Sequence, residues 1–198
     1  IKDQVDIYIT GSNAYMLSSE LATLLSGRYT EIKMLPFSFR EYIAETGLPK
    51  EEAFAEFMKT GGIPYVAAMN RTDEKVDQYL EGIYNTVIVK DIEQRQLRKE
   101  KEGNTRKITD IALLKNIARY LASVIGSPVS MKSITNYLTS SGRKISQNTV
   151  SDYVDALKES FIFYSVERFD IVGKQLLKIN NKLYMVDMGI KNYILPRK

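Results

Sequence analysis

The run Ser146-Gln147-Asn148-Thr149-Val150-Ser151-Asp152-Tyr153-Val154-Asp155-Ala156-Leu157 reads as a helix with a marked start. Ser146 is of the residue type that caps a first turn, and Val150, Tyr153, Val154 and Leu157 recur at three-and-four spacing, with Phe161 continuing the inward face. Two more helices precede it. Leu114, Ile117, Ala118, Leu121, Ala122 and Ile125 mark one that ends at Gly126, where Pro128 bars continuation. The next starts at Ser130, carries Met131, Ile134, Tyr137 and Leu138, and stops near Gly142. Downstream lie two strand-like runs, Phe161 to Phe169 and Leu183 to Val186, joined by a lysine-bearing connection. Helix, helix, helix, strand, strand is the order of a winged helix.

Upstream, residues 91–109 are a charged stretch containing Gly103-Asn104, the best place for a domain junction. Before it, Val76, Tyr79, Leu80, Ile83, Tyr84, Val87 and Ile88 form the clearest helical stripe in the chain, expected to be buried against two preceding helices. Those two carry Phe39, Tyr42 and Ile43, then Ala53 to Met58, and Gly61-Gly62-Ile63-Pro64 breaks the second. At the start, Val5 to Thr10 reads as a strand, Tyr15 to Leu25 as a helix ending at Gly27, and Tyr29 to Leu35 as a second strand. The expected fold is mainly α with small β elements: a βαβ remnant over residues 1–37, a helical region over 38–108 and a winged-helix-like domain over 109–198.

Composition narrows the chemistry. With 44% hydrophobic and 26% charged residues in 198, the chain has the balance of a folded globular protein. No cysteine and no histidine are present, which removes disulfides, thiolate metal sites and the commonest general base. No metal site is expected. No apolar run approaches the roughly 18 to 20 residues that span a bilayer, so a cytoplasmic protein without a membrane partner is expected. A start at Ile1, inside a strand-like stretch, points to a segment cut from a longer protein. Residues 1–100 carry a net charge of −4 and residues 101–198 one of +8, so the second half favours an anionic partner.

Several short motifs occur in one order along nearly the whole chain. They are Asp6-Ile7-Tyr8-Ile9-Thr10-Gly11-Ser12-Asn13-Ala14, Leu25-Ser26-Gly27-Arg28, Leu35-Pro36-Phe37-Ser38-Phe39 and Gly61-Gly62-Ile63-Pro64. Asp91-Ile92-Glu93-Gln94-Arg95, Ser146-Gln147-Asn148-Thr149-Val150, Gly173-Lys174 and Tyr184-Met185-Val186-Asp187-Met188-Gly189 follow. Together they resemble the middle of a bacterial and archaeal AAA+ ATPase family whose latter half is a domain of unknown function. The resemblance makes residues 1–37 the tail of the ATPase core and 38–108 its helical lid. It also implies catalytic roles in the intact parent: Ser12 and Asn13 as a first sensor near the γ-phosphate, and Arg28 as an arginine finger reaching a neighbouring subunit. Ser12 or Asn13 capping the following helix, and Arg28 as a surface arginine, read the same residues structurally.

The sequence departs from the family in one respect. It contains no G-x-x-x-x-G-K-[ST] loop and no acidic strand end upstream of the sensor, so ATP and Mg are expected only in the intact parent. An incomplete sheet would leave an unpaired edge, from which a homo-oligomer through the AAA+ remnant is expected. In the basic half, Arg143, Lys144, Gln147, Asn148 and Thr149 at the helix start, with Lys174, Lys178 and Lys182 on the wing, are the candidate contacts to duplex DNA. Asp152, Asp155 and Glu159 lie on the outward side of that helix and weigh toward protein docking or a structural role. The family often continues into a restriction-endonuclease-like region, but Asp187 lacks a following acid-x-Lys and reads as a strand-end or capping residue.

Overall fold

The computed structural model describes residues 7, 8, 10, 27–69, 72–86, 92, 108, 110–166 and 181–195. Within them the protein is mainly helical with one small antiparallel sheet. Helix α1 (Phe39–Thr46) starts with a reciprocal capping box: the Ser38 hydroxyl accepts from the Glu41 amide, and the Glu41 carboxylate accepts from the Ser38 amide at 2.8 Å. Helix α2 (Lys50–Thr60) runs into Gly61, and a short α3 (Pro64–Ala68) follows with proline at its first position, where a missing N–H costs nothing. Helix α4 (Asp73–Tyr84) is capped by Thr72.

Three helices then succeed one another. Helix α5 (Ile111–Ser123) is capped by Asp110, α6 (Met131–Ser140) by Ser130, and α7 (Gln147–Glu159) by Ser146, whose hydroxyl accepts from the Thr149 amide at 3.1 Å. Strands β1 (Phe163–Val166) and β2 (Lys182–Met185) pair antiparallel, Phe163 opposite Met185 and Val166 opposite Lys182. Between α5 and α6, Pro128 forms an isolated bridge with Lys182, flanked by bonds from the Gly126 amide to the Leu183 carbonyl and from the Val129 amide to the Asn181 carbonyl. A third backbone segment therefore lines β2. Helix α8 (Met188–Ile194) closes the described chain. No helix among the described residues is long and apolar enough to cross a membrane.

One main core runs from α4 through α5, α6 and α7 to the sheet and α8, with Leu114, Ile117, Leu121, Ile134, Val150 and Leu157 fully buried. A smaller cluster of Tyr42, Ala53 and Ala67, with Phe37, Phe39 and Phe57 against it, holds α1, α2 and α3 together. Phe39 and Tyr42 each meet the Phe57 ring, at 5.5 and 5.2 Å between centroids.

Two expectations are corrected. Val76, Leu80 and Tyr84 do form the buried stripe of α4, but they belong to the main core and pack toward α8, not into the α1–α2 cluster. Periodicity defines a helix's apolar face without naming what covers it. Tyr29 to Leu35 is not a strand. A strand needs a neighbour for its N–H and C=O groups, and no described strand lies beside this segment. Its apolar residues face outward, with Ile32 75% and Met34 89% exposed. The expected helix Tyr15 to Leu25, the junction at Gly103-Asn104, and Val5, Asp6 and Ile9 of the expected strand Val5 to Thr10 lie outside the described residues, and Ile7, Tyr8 and Thr10 are not in a strand.

Candidate functional site

Asp187 joins two distant parts of the chain. It caps α8, its Oδ1 accepting from the Ile190 amide at 3.0 Å, while its Oδ2 accepts from the Gly62 amide at 2.6 Å, 125 residues away. Only 5% of the residue is exposed. Burial raises the carboxyl pKa above its ordinary value, and the amides of Gly62, Ile190 and Gly189 oppose that rise by hydrogen bonding to the ionised form.

Glycines make this approach possible. Gly61 has φ 80° and ψ −168°, a region essentially closed to other residues, and an added Cβ there would land on the Asp187 carboxylate. A Cβ at Gly62 would strike the Phe37 carbonyl, whose neighbouring amide already donates to the Gly62 carbonyl at 2.7 Å. At Gly189 it would strike the carbonyl of Thr60, the last residue of α2. Asn192 completes the joint by donating to the carbonyls of Met58 and Lys59, both at 2.9 Å. The Gly61–Pro64 turn and the segment around Asp187 are thus one packed unit.

The basic residues are arranged less uniformly than their spacing implies. Arg143 pairs with Asp110, whose other carboxylate oxygen caps α5 and whose amide donates to the Tyr153 hydroxyl oxygen. Arg143 is therefore held as a tie between α5 and the loop before α7. Thr149 is half-buried and its hydroxyl bonds the Ser146 cap at 2.8 Å. Lys144, Gln147 and Asn148 are exposed around the start of α7, and Lys182 is exposed on β2. Lys174 and Lys178 lie outside the described residues, as do Ser12 and Asn13. Arg28 is described, exposed in the bend after Gly27.

Sequence reasoning missed a second feature. Tyr84 on α4, Lys115, Asn116 and Arg119 on α5, and Tyr193 and Ile194 on α8 line a pocket of about 400 Å³. The Lys115 ammonium lies 3.1 Å from the Asn85 side-chain oxygen and 6.0 Å from the Tyr84 ring centre. Lys115 and Arg119 are spaced i, i+4, so they share one side of α5. That spacing was visible, but nothing local showed that two tyrosines would meet it.

The described residues define a mainly helical chain with one small antiparallel sheet. The leading part, residues 1–43, matches the model of an AAA domain family. Residues 51–198 match the domain of unknown function DUF8612, and the chain belongs to that family. An uncharacterised protein of Haemophilus influenzae is 37% identical over 98% of this chain and 46% of its own length. An uncharacterised protein of Methanocaldococcus jannaschii is 27% identical over 96% of this chain and 43% of its own length. The chain thus spans about half the length of these curated relatives. No solved structure matches it.

Proposed function

We propose that this chain is the lid and partner-binding part of an AAA+-type ATPase, and that its C-terminal domain is a winged helix. The observation that carries the reading is the AAA-family match over residues 1–43, which is followed by the DUF8612 match, within which Asp187 ties the Gly61–Pro64 turn to α8. Support for the winged helix comes from the element order α5, α6, α7, β1, β2 and from the Pro128 bridge, which brings the segment between the first two of these helices alongside β2.

The chain's own residues do not fit a nucleotide, because no phosphate loop occurs in its sequence, and no hydrolytic step is derived for them. In the whole protein, Ser12 and Asn13 would sense the γ-phosphate and Arg28 would act on a neighbouring subunit's nucleotide. The exposure of Arg28 is compatible with that reach. ATP with Mg, and a homo-oligomer, belong to this proposal.

The partner of the winged helix is the second question. Exposed Lys144, Gln147 and Asn148 favour duplex DNA. Protein docking is favoured more, because Arg143 is already occupied by Asp110 and α7 presents Asp152 and Asp155 among its less buried residues.

The test compares ATP binding and turnover by this chain, by the protein extended upstream through its phosphate loop, and by that extended protein carrying Arg28→Ala. The expected result is binding and turnover only in the extended protein, with Arg28→Ala keeping binding and losing turnover. An extended protein that binds no nucleotide overturns the ATPase reading. Duplex DNA binding that falls steeply with salt would move the partner assignment from protein to DNA.

A further inference from the structure

We propose that the pocket between α4, α5 and α8 binds a small flat molecule bearing an oxyanion, a phosphate or a carboxylate on a ring-like body. The inference stands independently of any ATPase activity.

Three observations converge on it. Two cations, Lys115 and Arg119, project from one side of α5 into the same pocket of about 400 Å³, a size suited to a small ligand. Lys115 has a neutral partner, the Asn85 amide oxygen, and Arg119 has no carboxylate partner among the described residues. An oxyanion would supply what both lack, and Arg119 offers the planar fork that grips two oxygens at once.

The second observation is Tyr84. It is 6% exposed, and its hydroxyl has no hydrogen-bond partner among the described residues although it lies in the electrostatic reach of Arg119. A buried hydroxyl without a partner is costly and uncommon in a finished structure. Burial raises the phenol to about 12, so it keeps its proton through neutral pH and can donate to an anion.

The third is the opposite wall. Tyr193 sits 5.6 Å from the Tyr84 ring at an angle of 58°, with Ile194 beside it, giving the pocket an aromatic and aliphatic lining next to the cations. Glu81 and Asp77 lie near the Tyr193 hydroxyl, with Glu81 as its hydrogen-bond partner, so the rim on the α4 side is negative and an anion belongs on the α5 side, between Lys115 and Arg119. One wall selects negative charge and the other selects a flat apolar body.

The experiment is an amide chemical-shift titration of the 198-residue chain with phenyl phosphate, with benzoate and with inorganic phosphate. The expected result is saturable one-to-one binding of phenyl phosphate, with shifts centred on Lys115, Asn116 and Arg119. Arg119→Ala should weaken it about tenfold or more, the loss of a charge-assisted contact. Tyr84→Phe, which removes only the hydroxyl, should weaken it several-fold, and Lys132→Ala, at an exposed position on α6, should leave it unchanged. Benzoate binding as tightly as phenyl phosphate would assign the oxyanion as a carboxylate, and weaker binding would assign it as a phosphate. The proposal is overturned if shifts spread without saturation over basic residues generally, if Arg119→Ala and Lys132→Ala behave alike, or if inorganic phosphate binds as tightly as both aromatic ligands.

Discussion

Replacing Asp187 by alanine should cost about 2 kcal/mol at neutral pH. The substitution removes the α8 N-cap, a loss of about 1 kcal/mol, and leaves the Gly62 amide without its buried acceptor, a loss of about 1 to 3 kcal/mol. Desolvation of the carboxylate works in the opposite direction, as its raised pKa shows, so the measured value should fall toward the low end of that sum. In a chain of this length about 2 kcal/mol corresponds to roughly 4 to 8 °C in Tm. Urea unfolding followed by circular dichroism measures the total. Amide exchange adds a local readout: the Gly62 and Ile190 amides should lose protection more than those of Ile134 or Leu138 on α6. A loss below about 0.5 kcal/mol, or unchanged exchange at Gly62, would show that the joint is held by apolar packing and not by the carboxylate.

Two further outcomes follow from the same joint. Because the folded pKa of Asp187 is raised, the folded state holds this proton more tightly than the unfolded one; the resulting stability is full below the ordinary carboxylate value and is lost as pH rises through the folded pKa. Asp187→Asn should therefore cost more near pH 4 than at pH 7 in paired denaturation curves, and a penalty that grows with pH would contradict the assigned direction. Gly189→Ala should destabilise, since its Cβ meets the Thr60 carbonyl. Gly82→Ala, in open space on α4, should instead stabilise by about 0.5 to 1 kcal/mol, and the two melts should move in opposite directions.

What the sequence made legible was local. Ser146 is a cap whose partner, the Thr149 amide, lies three residues away, and it stands where its residue type implies. Asp187 was readable as a cap for the same reason, yet its bond to Gly62 crosses 125 residues and leaves no trace in any short window. Arg143 shows the opposite failure: beside Lys144 it reads as part of a basic patch, while Asp110, 33 residues upstream, holds it in the fold. The alternation in Tyr29 to Leu35 records apolar side chains, but whether such a run becomes a strand depends on a neighbour the run does not encode. The expected remnant and the sensor positions Ser12 and Asn13 fall largely outside the described residues, so the structure bears on the DUF8612 part far more than on the AAA segment.

The placement of α8 has a mechanical consequence. It follows β2 directly, so it is attached to the sheet, and it packs on α2, α4 and α5. At one end Asp187 and Gly189 sit against Thr60, Gly61 and Gly62; along its length Ile190 and Ile194 enter the main core. Moving the Gly61–Pro64 turn away from α8 would strip the Gly62 amide of its acceptor and open a carboxylate that is now buried among backbone donors. Moving the turn with α8 would instead carry the end of β2 along and disturb the main core. The glycine side is not a thin seam, because α8 packs on α2 more extensively than on α4 or α5, and Asn192 donates to the Met58 and Lys59 carbonyls at the end of α2. The end of α2, the Gly61–Pro64 turn and α8 are therefore held together inside the DUF8612 part by helix packing and by the Asp187 bond to Gly62.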